Sequence, residues 1–256
     1  MRMAQLLFSA ALVLFLSGIS SAYMNVTYLN TTVVLNTSTS ARVVETLTIN
    51  MSNSSVAQYL QDRQALNLTL SEWAAVLHTN LLIQHIVNPD SSISNFTLLP
   101  GPLLYSNSRT AEARLTMSYV AHNITSVMNV GPRKFEYMVD SAALNFQHAP
   151  GGESLPQNAR FNILIPRGTE LVAVYPAPDF PPPSFLGTYN NVTAFSWYEG
   201  EPLTKFKFSY LVTQSLQEEV VSYFNSMYKG YTQQIYLLII ILLSVTSVYV
   251  YVKVFA

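Results

Sequence analysis

Apolar and polar residues alternate with a period of two through much of the chain. Residues 26–35 and 41–50 are Val- and Thr-rich runs separated by Asn36, Thr37, Ser38, Thr39 and Ser40, which predicts a hairpin with an exposed turn. Ala113, Leu115, Met117, Tyr119 and Ala121 alternate with Arg114, Thr116, Ser118 and His122, which predicts a strand with one buried face. The alternation recurs at Phe161, Ile163 and Ile165, and at Phe206, Phe208, Tyr210 and Val212. Asn190 and Asn191 mark another turn, between runs at 185–189 and 192–198. Short strands with turn signals between them predict a mainly β fold, an antiparallel β-sandwich; a parallel sheet would need a helix between each pair of strands, and the pattern does not supply them.

A helical island interrupts the strands. Residues 55–66 and then 70–79 carry Tyr59, Leu60, Leu66, Trp73, Val76 and Leu77 at helical spacing, and Thr69 with Glu72 has the spacing of a capping box. Residues 81–87 read as a strand, ended by Asn88, Pro89 and Asp90. Ser215 and Glu218 repeat the capping-box spacing, and Val220, Val221, Phe224, Met227 and Tyr228 come after them on one helical face. The resulting organisation is a β-rich subdomain over 23–148 with its helical insertion near 55–79, a β-sandwich portion over 149–214, and a juxtamembrane helix over 215–234. One or two subdomains are equally compatible with this pattern, the joint being Ala149, Pro150, Gly151 and Gly152.

Both ends of the chain depart from the alternation. Residues 235–252 are 18 consecutive positions without a charge. At 1.5 Å per residue they make about 27 Å of helix, close to the thickness a transmembrane span must match. Tyr231 and Tyr236 on one side, and Tyr249 and Tyr251 on the other, fit interfacial aromatic belts. At the N-terminus, Arg2, the apolar run 6–16 and the small residues Ser20, Ser21 and Ala22 read as a signal peptide over 1–22. The expected topology is a single pass through the cell membrane, with the ectodomain outside, a transmembrane helix at 235–252 and a cytoplasmic tail at 253–256.

Charge is sparse, 13 basic against 14 acidic residues, and the chain lacks cysteine. No basic stripe is present to neutralise phosphates, so no nucleic-acid partner is expected. The fold must stand on its core without disulfides, and thiolate chemistry is excluded. The polar surface therefore comes from Asn, Ser, Thr and Tyr. The pattern Asn-X-Ser/Thr occurs nine times, at Asn25, Asn30, Asn36, Asn50, Asn53, Asn67, Asn95, Asn123 and Asn191, against about three expected by chance. Eight of these precede residue 126, so a glycan coat is expected over the first half of the ectodomain. Many sequons, little charge, abundant Tyr and no Cys together resemble the heavily N-glycosylated, C-terminally anchored surface and envelope glycoproteins of archaea. The resemblance is one of composition and implies no functional residue.

Catalytic motifs are missing: there is no Gly-x-Ser-x-Gly elbow, His-Glu-x-x-His pair, P-loop or dinucleotide fingerprint. His78 and His85 would share a helical face if one helix covered both, with His122 or His148 as further ligands; structural or solvated histidines are the plainer reading. Asp140 is expected to close a strand or cap the segment after it, and Glu218 and Glu219 to sit in the first turn of a helix. The Pro-rich stretch 176–183 reads as a rigid crossover carrying Phe180, with a recognition loop as its functional alternative.

No catalytic, cofactor-binding or metal site is assigned, and no cofactor is expected. The function expected is a non-enzymatic, membrane-anchored surface glycoprotein, a structural, adhesive or accessory subunit whose partners are the membrane and other envelope or membrane proteins. One alternative is an anchored extracytoplasmic hydrolase or metal-dependent enzyme assembled from His78, His122, Asp140 and Glu170. The other is a ligand- or glycan-binding module exposing Trp73, Trp197 or Tyr198 in a groove.

Overall fold

The computed structural model describes residues 23–65, 68–149, 152–182, 189, 191–221 and 225. The expected signal peptide at 1–22 and the uncharged run at 235–252 lie outside them, as does most of the stretch 215–234 expected to be a juxtamembrane helix. Among the described residues no helix is long and apolar enough to cross a membrane.

The fold is mainly β. In chain order the strands are β1 (Met24–Val34), β2 (Ala41–Ser52), β3 (Ile93–Pro100), β4 (Leu104–Tyr105), β5 (Thr110–Ala121), β6 (Thr125–Gly131), β7 (Lys134–Val139), β8 (Gln147–Ala149), β9 (Gly152–Ser154), β10 (Ala159–Leu164), β11 (Glu170–Tyr175), β12 (Ala194–Trp197) and β13 (Lys207–Thr213). Helices α1 (Val56–Gln64) and α2 (Leu70–Val76) fall in the expected island. One sheet runs β12-β10-β1-β2-β5-β3, with β4 also on β5, and a second runs β11-β13-β7-β6. These antiparallel and mixed sheets are consistent with the expected sandwich.

The pairing of β1 with β10 departs from the all-antiparallel expectation. β1 and β10 run parallel, Leu29 opposite Ala159 through Val34 opposite Leu164. Parallel neighbours need a long connection but not a dedicated helix; here everything from β2 to β9 supplies it. β10 and β12 are hydrogen-bonded members of the same sheet as β1 and β2, and the described residues up to Met128 with those of Glu136–Val212 form one compact unit.

The predicted alternation is realised in β5, where Ala111, Ala113, Leu115, Met117, Tyr119 and Ala121 are all buried. At one end of this inner face α1 and α2 supply Tyr59 and Trp73, which pack against Leu29, Leu47, Ile49 and Leu115. At the other end the two sheets meet through aromatic rings. Phe195 and Phe208 stand edge to face at 5.3 Å, Trp197 and Phe206 likewise at 5.5 Å, and Phe161 stacks on Trp197 at 5.4 Å. Each such fully buried large side chain contributes about 1.5–3 kcal/mol by leaving water, so these rings do the work that disulfides would do elsewhere.

The predicted strand at 81–87 is not one. Its backbone donors go to side chains instead of a neighbouring strand: Leu81 N–H to Thr79 Oγ1, His85 N–H to a Glu45 oxygen, and Ile86 N–H to the Tyr119 hydroxyl. A single bridge between Ile86 and Leu144 remains. In the Pro-rich stretch, Trp197 Nε1–H donates to Pro176 O at 3.1 Å, and Asp179 and Phe180 bond to Ser196 along the edge of β12.

The second unit comprises Asn129–Phe135 and the described residues from Thr213 onward. Within it Gln214 N–H donates to Arg133 O, and Arg133 lies 3.8 Å from Glu219. Residues 216–221 are helical, and Ser215 and Glu218 form the reciprocal bonds their spacing predicts. Ser215 donors hold the Glu218 carboxyl below its ordinary range.

Candidate functional site

The nine sequon asparagines are the site residues that the sequence singles out. Among the eight that fall in the described residues, Asn25, Asn36, Asn53, Asn95, Asn123 and Asn191 are exposed, Asn30 and Asn50 are half-buried, and none is in the core. Asn67 lies outside the described residues.

Local backbone explains part of this placement. Asn95, Asn123 and Asn191 have φ near +53°, +54° and +58°, the left-handed region that Asn tolerates better than most residues. Asn95 sits in the irregularity of β3 between Ser94 and Thr97. Asn30 and Asn50 are strand residues on the outward side of the large sheet. The Asn30 side-chain carbonyl accepts from Asn162 Nδ2 at 2.8 Å, so this amide is tied into a cross-strand network.

Asn36 opens the turn between β1 and β2, and that turn is held from several directions. Tyr210 donates to Asn36 O at 2.6 Å, Tyr137 to Thr37 O at 2.9 Å, and Thr125 Oγ1 to Ser38 O at 3.1 Å. The two tyrosine rings are stacked 5.3 Å apart. Burial pushes both phenols above the ordinary tyrosine value and so opposes their ionisation, with Tyr137 adding to the effect on Tyr210. Within the turn, Ser38 N–H and Ser38 Oγ–H both donate to Asn36 Oδ1, at 2.8 and 2.6 Å.

Each candidate ligand or catalytic group has a definite place in the local structure. His78 terminates α2 at φ +48°, where its N–H donates to Ala75 O and Thr79 N–H to Ala74 O, the paired bonds of a Schellman stop. His122 bridges two hydroxyls, Ser40 Oγ at 2.9 Å and Ser94 Oγ at 2.8 Å. His148 contacts Glu153. Asp140 caps a 3-10 turn by accepting from Ala142 N–H, and Glu170 begins β11. The shared helical face of His78 and His85 does not form, because α2 stops before His78. Among the described residues no three His, Asp or Glu side chains are grouped to hold a metal ion. Trp73 and Trp197 are buried in the core, whereas Tyr198 is exposed and carries Arg160 over its ring at 5.1 Å.

Sequence reasoning missed one cluster. Glu45 is fully buried at the centre of the large sheet's inner face and accepts three donors. Tyr119 O–H reaches Oε1 at 2.5 Å, His85 N–H reaches the same oxygen at 3.0 Å, and His85 Nδ1 lies 2.5 Å from Oε2. His85 also stacks on Phe146 at 5.2 Å. The signal was available in β2, where the inward positions read Ala41, Val43, Glu45, Leu47, Ile49 and Met51. A carboxylate in that series must bring partners with it. The cluster pins the 81–87 segment to the sheet, and burial together with the Glu45 charge pushes the Tyr119 phenol far up.

No family model matches the chain, and no curated protein matches it. Among solved structures the chain is similar to the folded domain of Mycobacterium tuberculosis LppM, determined by NMR, at 8% identity. That similarity covers 77% of this chain and 96% of the other, with a TM-score of 0.23.

Proposed function

We propose that this chain is a non-enzymatic surface glycoprotein: a two-sheet β-sandwich ectodomain, N-glycosylated and carried outside the cell on a single membrane span at 235–252. Its work is structural, adhesive or accessory, beside other envelope or membrane proteins. The observation that carries the reading is the position of the acceptors. Six of the eight described sequon asparagines are exposed and none is buried, in a body whose core needs no disulfide. The uncharged 18-residue run supplies the anchor.

The reading is tested by extracting the native protein from its own membranes in a gentle detergent and identifying by mass spectrometry what accompanies it. Stoichiometric recovery of other envelope subunits is the expected result. A chain that extracts without detergent, or arrives alone with hydrolytic activity, would overturn the assignment.

A further inference from the structure

The eight described sequons are alike in sequence but not in geometry. N-glycosylation forms a bond from the asparagine Nδ2 to the anomeric carbon of a lipid-linked sugar. The bond from that carbon to the lipid phosphate breaks, its electron pair leaves with the phosphate, and the amide proton passes to a base of the transferase. An amide nitrogen is a poor nucleophile because its lone pair is delocalised into the carbonyl. A hydroxyl two residues on, beside the amide, distinguishes one asparagine from another.

Asn36 alone among the described sequons has that hydroxyl on its own amide. Ser38 Oγ–H and Ser38 N–H both donate to Asn36 Oδ1, the arrangement of an Asx turn. The amide is exposed at the end of a hairpin. At other sites the hydroxyl is spent elsewhere: Thr27 on Thr48 O, Thr97 on Ser118, and Thr125 on Ser38 O. Asn123 in addition spends its own Nδ2 on Ser91 Oγ at 2.9 Å. The Asn36 turn is also the one clamped from the core, by Tyr210 on Asn36 O and Tyr137 on Thr37 O.

We propose that Asn36 remains an acceptor after the ectodomain has folded, its turn pre-formed by Ser38 and positioned by Tyr137 and Tyr210, whereas Asn25, Asn95 and Asn123, whose sequon hydroxyls are bonded elsewhere, are modified only on the unfolded chain. This rests on the glycoprotein reading and adds to it an order of modification. Tyr137 and Tyr210 are positioning residues here, since neither touches the reacting nitrogen.

The test uses the full chain made in a host without N-glycosylation and purified in detergent. It is given an oligosaccharyltransferase and a short lipid-linked oligosaccharide, and occupancy is followed by peptide mass spectrometry. The same chain after heat unfolding gives the intrinsic rate of each sequon. The folded chain is expected to take sugar at Asn36 ahead of Asn25, Asn95 and Asn123, a preference lost on unfolding. Tyr210→Phe and Tyr137→Phe, checked for fold by circular dichroism, are expected to slow folded-state transfer at Asn36 by about fivefold each, the factor one ordinary hydrogen bond controls, with Asn25 unmoved. A folded chain bare at Asn36 while other sequons are modified, or one ranking its sequons as the unfolded chain does, would overturn the proposal. A native protein bare at every sequon would instead overturn the glycoprotein reading, leaving the folded-state ranking to be measured on its own.

Discussion

Tyr210 in β13 holds Asn36, 174 positions earlier in the chain, through a 2.6 Å hydrogen bond from its phenol to the asparagine's backbone carbonyl. The second sheet thereby fixes the first hairpin of the large sheet. Tyr210→Phe keeps the stack on Tyr137 and removes only the donor, so it is expected to cost about 1 kcal/mol, read as a lowered thermal midpoint of the full chain in detergent.

The buried phenols give the protein an alkaline limit. Burial raises Tyr59, Tyr119, Tyr137 and Tyr210 above the ordinary tyrosine value of 10.0. A raised value in the folded state means that the unfolded chain releases its protons first, so stability is intact below about pH 10 and is lost as pH rises beyond it. Titration followed by tyrosinate absorbance and by circular dichroism should show these four ionising together with loss of the fold. A smooth titration with the fold retained would contradict the assignment of these rings to the interior.

Glu45 is the most consequential single charge in the core. Glu45→Ala leaves His85, Tyr119 and one backbone N–H without their acceptor, and a loss of about 3–5 kcal/mol is expected. Tyr119→Phe leaves the carboxylate two donors and should cost about 1.5–3 kcal/mol. Thermal unfolding of the two variants and of their combination measures the coupling, which is expected to make the double variant cheaper than the sum.

His78 offers a change in the opposite direction. Its left-handed φ of +48° at the end of α2 is strained for a residue with a Cβ, and neither of its backbone bonds depends on the imidazole. His78→Gly is expected to raise stability by about 1 kcal/mol. Unchanged or lowered stability would show that the imidazole has a role the helix stop does not explain.

How much of this was legible beforehand differs from element to element. The hairpin of β1 and β2, the buried face of β5 and the capping box at Thr69 are local patterns of period two or of spacing three, and they were readable directly. The parallel pairing of β1 with β10 was not, because it joins segments more than a hundred residues apart and leaves no periodic mark. The 81–87 segment has strand composition, but its donors are claimed by Glu45 and Tyr119, tertiary partners that composition cannot reveal. The sequons were visible as a motif. What separates Asn36 from Asn123 is where two hydroxyls point, and that is decided only by the neighbours each strand end acquires.

The most direct test of the central claim is glycopeptide mapping of the chain taken from its native membranes. Sugar attached to peptides bearing the exposed sequons, Asn36 among them, with the segment 235–252 retained in the detergent fraction, is the result expected of an anchored surface glycoprotein. Every sequon peptide at its unmodified mass would contradict it.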